Sequence, residues 1–306
     1  MGANWRRLVQ TIGGPTLIGC GLIVVGIGLV GETGDSNAAR GDVRASHETA
    51  APPRSVPEAA TDRLPDLDQE LPTELDVRSK TDSGARTFRL GFRSAVRNVG
   101  DGPLIVDGAR PDTGTPTMTV NQVVQRVAMP ERVVPDVGRM EYSVSPDHSH
   151  WHYLQFDRYE LQRYMLRRAG SDEVLVTDRK TGFCLGDRYY VRDRRLAAAP
   201  PAPVFTGGCG LRRPDLLHMH EGISVGYGDD YSAFLEGQDL SLEGVGDGRY
   251  VLVHRVNGNH RLQELSYANN AASVLFDLSW PGGLPQIRVL ARCPDTDRCG
   301  TAGSKA

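Results

Sequence analysis

Three imidazoles at every second position, His148, His150 and His152 in Asp147-His148-Ser149-His150-Trp151-His152, amount to a metal site supplied almost whole by one segment. On a helix, at about 100° per residue, His150 would point away from the other two; on an extended strand all three share one face. The spacing therefore predicts a strand. The outer α-carbons of such a triplet lie about 13 Å apart, whereas a histidine nitrogen reaches its metal from roughly 6 to 8 Å, so the outer rings must lean inward. A bulge, a strong twist or a strand end is expected here. Three neutral imidazoles with an open fourth position suit Cu(II) and Zn(II) equally, and only the surrounding chemistry can choose. A second pair at the same spacing, His218 and His220 in Leu217-His218-Met219-His220, is read as surface or supporting rather than as a second centre.

The elements that must hold these groups read as short strands. Alternating apolar runs at 87–96, 103–106, 117–127, 151–161, 173–177, 189–192, 250–256, 272–278 and 286–290 are separated by turn chemistry such as Asn98-Val99-Gly100-Asp101-Gly102, Asp247-Gly248, Asn257-Gly258 and Pro281-Gly282-Gly283. The first two runs read as strand, turn, strand. No long stretch after residue 67 keeps helical periodicity, so the fold class expected is all-β, an antiparallel β-sandwich with long loops. Ala and Pro between residues 194 and 214 imply one such loop.

Composition sets the compartment. A formal charge of -3 gives no field for nucleic acid, so none is expected as a partner. Arg6-Arg7 precede a charge-free run over 8–31, long enough to span a bilayer, with Glu32 after it. An uncleaved anchor is preferred to a signal peptide cut near Ser36-Asn37-Ala38 or to acylation at Cys20, and each places the remainder outside the cytoplasm. Residues 32–65 hold almost no large apolar side chain and read as a disordered tether. A main domain is expected over 66–292, with a tail at 293–306. Apart from Cys20 the cysteines are Cys184, Cys209, Cys293 and Cys299, an even number in an exported domain. Three pairings are possible; the local one, Cys184 with Cys209 and Cys293 with Cys299, is the simplest.

The stretch from Tyr142 through the histidines to Phe156-Asp157-Arg158-Tyr159-Glu160-Leu161 resembles the copper-binding motif of lysyl oxidases. Three more segments agree in order: Lys180-Thr181-Gly182-Phe183-Cys184-Leu185-Gly186-Asp187, Glu221-Gly222-Ile223-Ser224-Val225-Gly226 with Asp229-Asp230-Tyr231, and Gly248-Arg249-Tyr250-Val251-Leu252 through Glu264-Leu265-Ser266-Tyr267-Ala268-Asn269-Asn270. The resemblance spans about 66–292 and is to a bacterial-type, membrane-anchored or secreted member. It implies Cu(II) at His148, His150 and His152, and a lysyl tyrosylquinone cofactor made from Lys180 and Tyr231. It also implies oxidation of primary amines, peptidyl lysine among them, by O2 to aldehyde, ammonia and hydrogen peroxide. Asp229, Asp230 and Asp187 are candidate bases by their nearness in sequence. The competing readings are a β-sandwich that buffers or delivers copper with Lys180 and Tyr231 unmodified, and a tethered interaction domain with a structural metal.

Overall fold

The computed structural model describes residues 62–82, 85–144, 149–154, 163–170, 174–177, 182–191, 193, 195–235 and 237–300. The expected anchor, most of the tether, His148 and Lys180 lie outside the described residues.

In chain order the strands are β1 (Asp62–Arg63), β2 (Leu67–Gln69), β3 (Thr73–Asp82), β4 (Ala85–Asn98), β5 (Leu104–Ala109), β6 (Thr117–Arg126), β7 (Arg132–Val144), β8 (Ser149–Tyr153) and β9 (Arg163–Arg168). They continue as β10 (Val174–Thr177), β11 (Tyr189–Tyr190), β12 (His218–Ile223), β13 (Tyr227–Tyr231), β14 (Asp239–Ser241), β15 (Gly248–Arg255), β16 (Ala271–Ser279) and β17 (Gln286–Cys293). The described residues contain no α-helix, only a 3-10 turn at Pro281–Gly283, and no helix among them is long and apolar enough to cross a membrane. The chain is all-β, and its strand pairs are antiparallel.

Three sheets result. One runs β12-β5-β6-β7-β8 with β1 added to β6; a second runs β10-β9-β15-β16-β17; a third runs β11-β13-β4-β14, with β2 and β3 also on β4. β4 shows why they pack as layers. Leu90, Phe92 and Val96 share one face and are buried. Arg89, Arg93 and Arg97 share the other and meet Asp239, Asp230 and Asp68 on the neighbouring strands. This is the period-2 division of a sheet with one face on a core. Leu90 and Phe92 enter a core with Leu240, Tyr250, Leu252 and Phe276. Val96 enters a second core with Leu104, Val106, Met118, Trp151, Tyr153, Phe183 and Tyr227, between the first and third sheets.

The expected 87–96 to 103–106 strand pair does not form as a hairpin. β4 and β5 belong to different sheets, because the turn between them is occupied by the chain entering the domain. A Cβ at Gly100 or Gly102 would overlap the backbone of residues 63–66, while Val99 and Asp101 donate to Asp66 O and Leu64 O. Ordered structure accordingly begins before residue 66: β1 pairs with β6, and Pro65 is buried. At the other end β17 runs to Cys293, and Cys299 is buried against Val251, Val253 and Leu275. Both expected disulfides, Cys184–Cys209 and Cys293–Cys299, are formed.

Candidate metal and tyrosine site

β8 presents the histidines by alternation. Trp151 and Tyr153 are buried to 1% or less in the core, which fixes the register of the strand and leaves His150 and His152 on its other face. Tyr153 further donates its hydroxyl to Val137 O at 2.9 Å, and Trp151 Nε1 donates to Arg213 O at 3.0 Å. The Nε2 atoms of His150 and His152 converge to 2.7 Å. Two imidazole nitrogens about 2.0 Å from one metal are separated by roughly 2.9 Å at a right angle and about 3.3 Å at the tetrahedral angle. The observed separation is shorter than either and is that of a hydrogen bond between the two rings. The two side chains are therefore candidates to share one metal ion. The described part of β8 begins at Ser149 and carries His150 and His152. Among the described residues no group of three or more His, Cys, Asp or Glu gathers as a metal site; His148 falls outside that set.

β8 is an edge strand of its sheet, and its outer side is covered by chain rather than by another strand. Tyr153 N donates to Phe183 O at 2.9 Å, an isolated bridge that lays residues 182–184 alongside the histidines. Gly182, two residues after Lys180, has room for no side chain: an added Cβ would overlap His152 Cβ and stand 3.1 Å from its Cγ. Further along β8, Trp151 N donates to Cys209 O at 2.8 Å, and Arg212 N to Ser149 O at 2.8 Å. The Ala and Pro loop expected at 194–214 is thus folded back onto the histidine strand.

Tyr231 ends β13 and meets the same segment from the other side. Its hydroxyl accepts from Cys184 N at 3.1 Å and stands 3.0 Å from both Asp229 Oδ2 and Cys184 O. The single phenolic proton has a carboxylate as its stronger acceptor. Phe183 packs edge-on against the ring at 5.1 Å. Enclosure of the hydroxyl end is the largest cause holding the Tyr231 phenol well above its ordinary pKa, with the Asp229 charge and hydrogen bond next. Tyr231 is thus a neutral donor at pH 7. Residues 182–184 connect it to His152.

Of the three candidate bases, one is placed to act on Tyr231. Asp187 is consumed by structure, accepting from Ser224 N, Ser224 Oγ, Val204 N and Phe205 N. Asp230 pairs with Arg93 through Nε at 3.0 Å and Nη2 at 2.8 Å. Asp229 is 1% exposed, touches the Tyr231 hydroxyl and has Arg188 Nε 3.5 Å from its Oδ1. The alternation of β13 decides this, since residues 229 and 231 share a face and 230 does not. Glu221 escaped sequence reasoning except as part of a motif. It is buried on β12 and accepts from Leu185 N at 3.1 Å, and burial drives its carboxyl well above the usual range despite that bond. A buried acid beside Gly222, where a Cβ would overlap Leu104 O and Phe205, was the available signal.

The other histidines have different surroundings. His218 and His220 lie on the exposed face of β12, with Met219 turned inward; His220 Nδ1 is 2.5 Å from Asp107 Oδ1. His254 is buried 2.5 Å from Gln69 Nε2, and burial lowers its pKa well below the ordinary value. His260 stacks on Tyr267 at 4.1 Å.

No curated protein matches the chain. Residues 214–280, which include β12, Tyr231, Asp229, Glu221 and the closing Asn269-Asn270, match the family model described as lysyl oxidase, a family of copper-dependent amine oxidation. That match is a similarity to the lysyl oxidase family over residues 214–280, a stretch that holds Tyr231 and Asp229 but not the histidine strand.

Proposed function

We propose that this protein oxidises primary amines, peptidyl lysine among them, using copper at His148, His150 and His152 and a lysyl tyrosylquinone made from its own Lys180 and Tyr231. The observation that carries the reading is the course of residues 182–184, which touch His152 at Gly182 and the Tyr231 hydroxyl at Cys184. Copper held by these histidines would supply, with O2, the oxidation of the phenol, and the organic cofactor so made would accept the electrons of the amine.

The chain's own residues do the rest. Asp229 is the carboxylate placed to take the proton of the Tyr231 hydroxyl, to which it is hydrogen-bonded, and from the same position it would take the proton on the carbon that bears the amine nitrogen. Arg188 steadies that carboxylate and approaches Cys184 Sγ at 3.1 Å. Phe183, Trp151 and Tyr153 keep water from the inner side. Two disulfides and the N-terminal apolar run support a location outside the cytoplasm, tethered to or released from a membrane.

The test is mass spectrometry of protein matured with copper and air. A peptide in which Lys180 and Tyr231 are joined, with amine-dependent release of hydrogen peroxide, is the expected result. Intact, separate Lys180 and Tyr231 in every molecule would overturn it in favour of copper buffering or delivery.

A further inference from the structure

We infer that the Cys184–Cys209 disulfide is a positioning device: it ties the hydrogen-bond partner of the tyrosine to the hydrogen-bond partner of the histidine strand, and so sets one relative to the other. This rests on the functional reading above only in taking Tyr231 and the β8 histidines as the reacting pair.

The two ends of the bond have separate duties. Cys184 holds the Tyr231 hydroxyl by its N–H at 3.1 Å and presents its carbonyl at 3.0 Å. Cys209 accepts at its carbonyl from Trp151 N at 2.8 Å, the peptide between His150 and His152. Cys209 adopts φ 48° and Gly210 φ 65°, a reversal that sends residue 212 back to donate to Ser149 O. A Cβ at Gly210 would approach Trp151 Cδ1 at 2.9 Å and Leu216 Cδ1 at 2.6 Å, so the reversal is pressed against the strand. Because β8 is an edge strand, these loop bonds replace the missing neighbour along its outer side. The two half-cystines are mostly buried, at 6% and 2% exposure. The sequence separation of 25 takes in the Pro and Ala loop, in whose described residues no strand forms. Without the crosslink, the described links between residues 184 and 209 are that loop and single backbone bonds to β8, at Tyr153 from Phe183 and at Trp151 from Cys209.

The experiment compares the native chain with the Cys184→Ser/Cys209→Ser double variant, both metal-free, by amide hydrogen exchange resolved to single residues. The expected result is exchange roughly tenfold faster at Trp151 and at residue 184, with Leu252 on β15 and Val274 on β16 unchanged. With copper and air, the variant should bind copper through β8 but yield roughly tenfold less joined Lys180–Tyr231 peptide. If the double variant does not fold, the Cys293→Ser/Cys299→Ser chain is compared before and after reduction with a dithiol, which passes two electrons and two protons to the Cys184–Cys209 disulfide and leaves two thiols. Unchanged exchange at Trp151 and residue 184 overturns the inference. Exchange that rises equally on β15 and β16 also overturns it, since the bond would then be a general staple. A native chain that forms no joined peptide refutes the oxidase reading alone, because the amide comparison is made without metal.

Discussion

Gly182→Ala should weaken copper binding without touching a ligand. Glycine is present here for space: no left-handed φ is recorded, and the added Cβ would overlap His152 Cβ while lying 3.1 Å from Cγ and 3.3 Å from Nδ1. Carbon contacts relax at about 3.5 to 4.0 Å, so either His152 or the 182–184 segment must give by roughly 1 Å. Metal sites tolerate about 0.2 Å in ligand distance. The convergence of His150 and His152 at 2.7 Å cannot survive a displacement several times larger. The expected loss of copper affinity is about 10- to 100-fold, or about 1.4 to 2.8 kcal/mol. Overpacking should cost the fold about 1 to 3 kcal/mol besides. Calorimetric titration of the metal-free protein with Cu(II) measures the first, a urea transition the second, and the electron paramagnetic resonance spectrum counts equatorial nitrogens. Native affinity and a native spectrum in a variant whose stability has fallen would refute the placement of His152 in the copper site.

Three further outcomes follow from other contacts. Tyr231→Phe removes the acceptor of the Cys184 N–H in a buried setting, so a urea transition should show a loss of about 2 kcal/mol, with no joined peptide after copper and air. Asp187→Ala leaves the Ser224, Val204 and Phe205 donors unmatched; a loss of about 3 kcal/mol and faster proteolysis within 195–213 are expected. Glu264 is buried under bonds from Leu67 N, Asn257 and Asn270, and burial lifts its pKa from 4.5 to about 7. Between those values the folded chain keeps a proton that the unfolded chain has lost, so stability falls as pH rises from 4.5 to 7, by about 3 kcal/mol in all. In metal-free protein, Glu264→Gln should flatten urea midpoints over that window; an unchanged slope would assign the dependence to other groups.

The sequence was sufficient for whatever depends on local period and chemical type. Alternation of buried and exposed side chains gave β4, β6, β15, β16 and β17 within a few residues, and the same period put His150 and His152 on one face. Both cysteine pairs were legible because each closes a local loop. Strands with mixed or polar patterns, such as β3, β7, β12 and β13, were not marked out, although β12 and β13 carry Glu221, Asp229 and Tyr231. Their stability comes from partners distant in the chain: Asp107 lies opposite His220, and Ala95 opposite Asp230. For the same reason, nearness in sequence made Asp187, Asp229 and Asp230 equal candidates, and only tertiary hydrogen bonding separated them. The histidines, lysine and tyrosine were nameable from residue type and order. That residues 182–184 run between β8 and Tyr231, and that one disulfide spans the two sides, was decided by long-range packing. Hydrogen bonds between segments tens of residues apart form only once the cores have closed, and no local period records them.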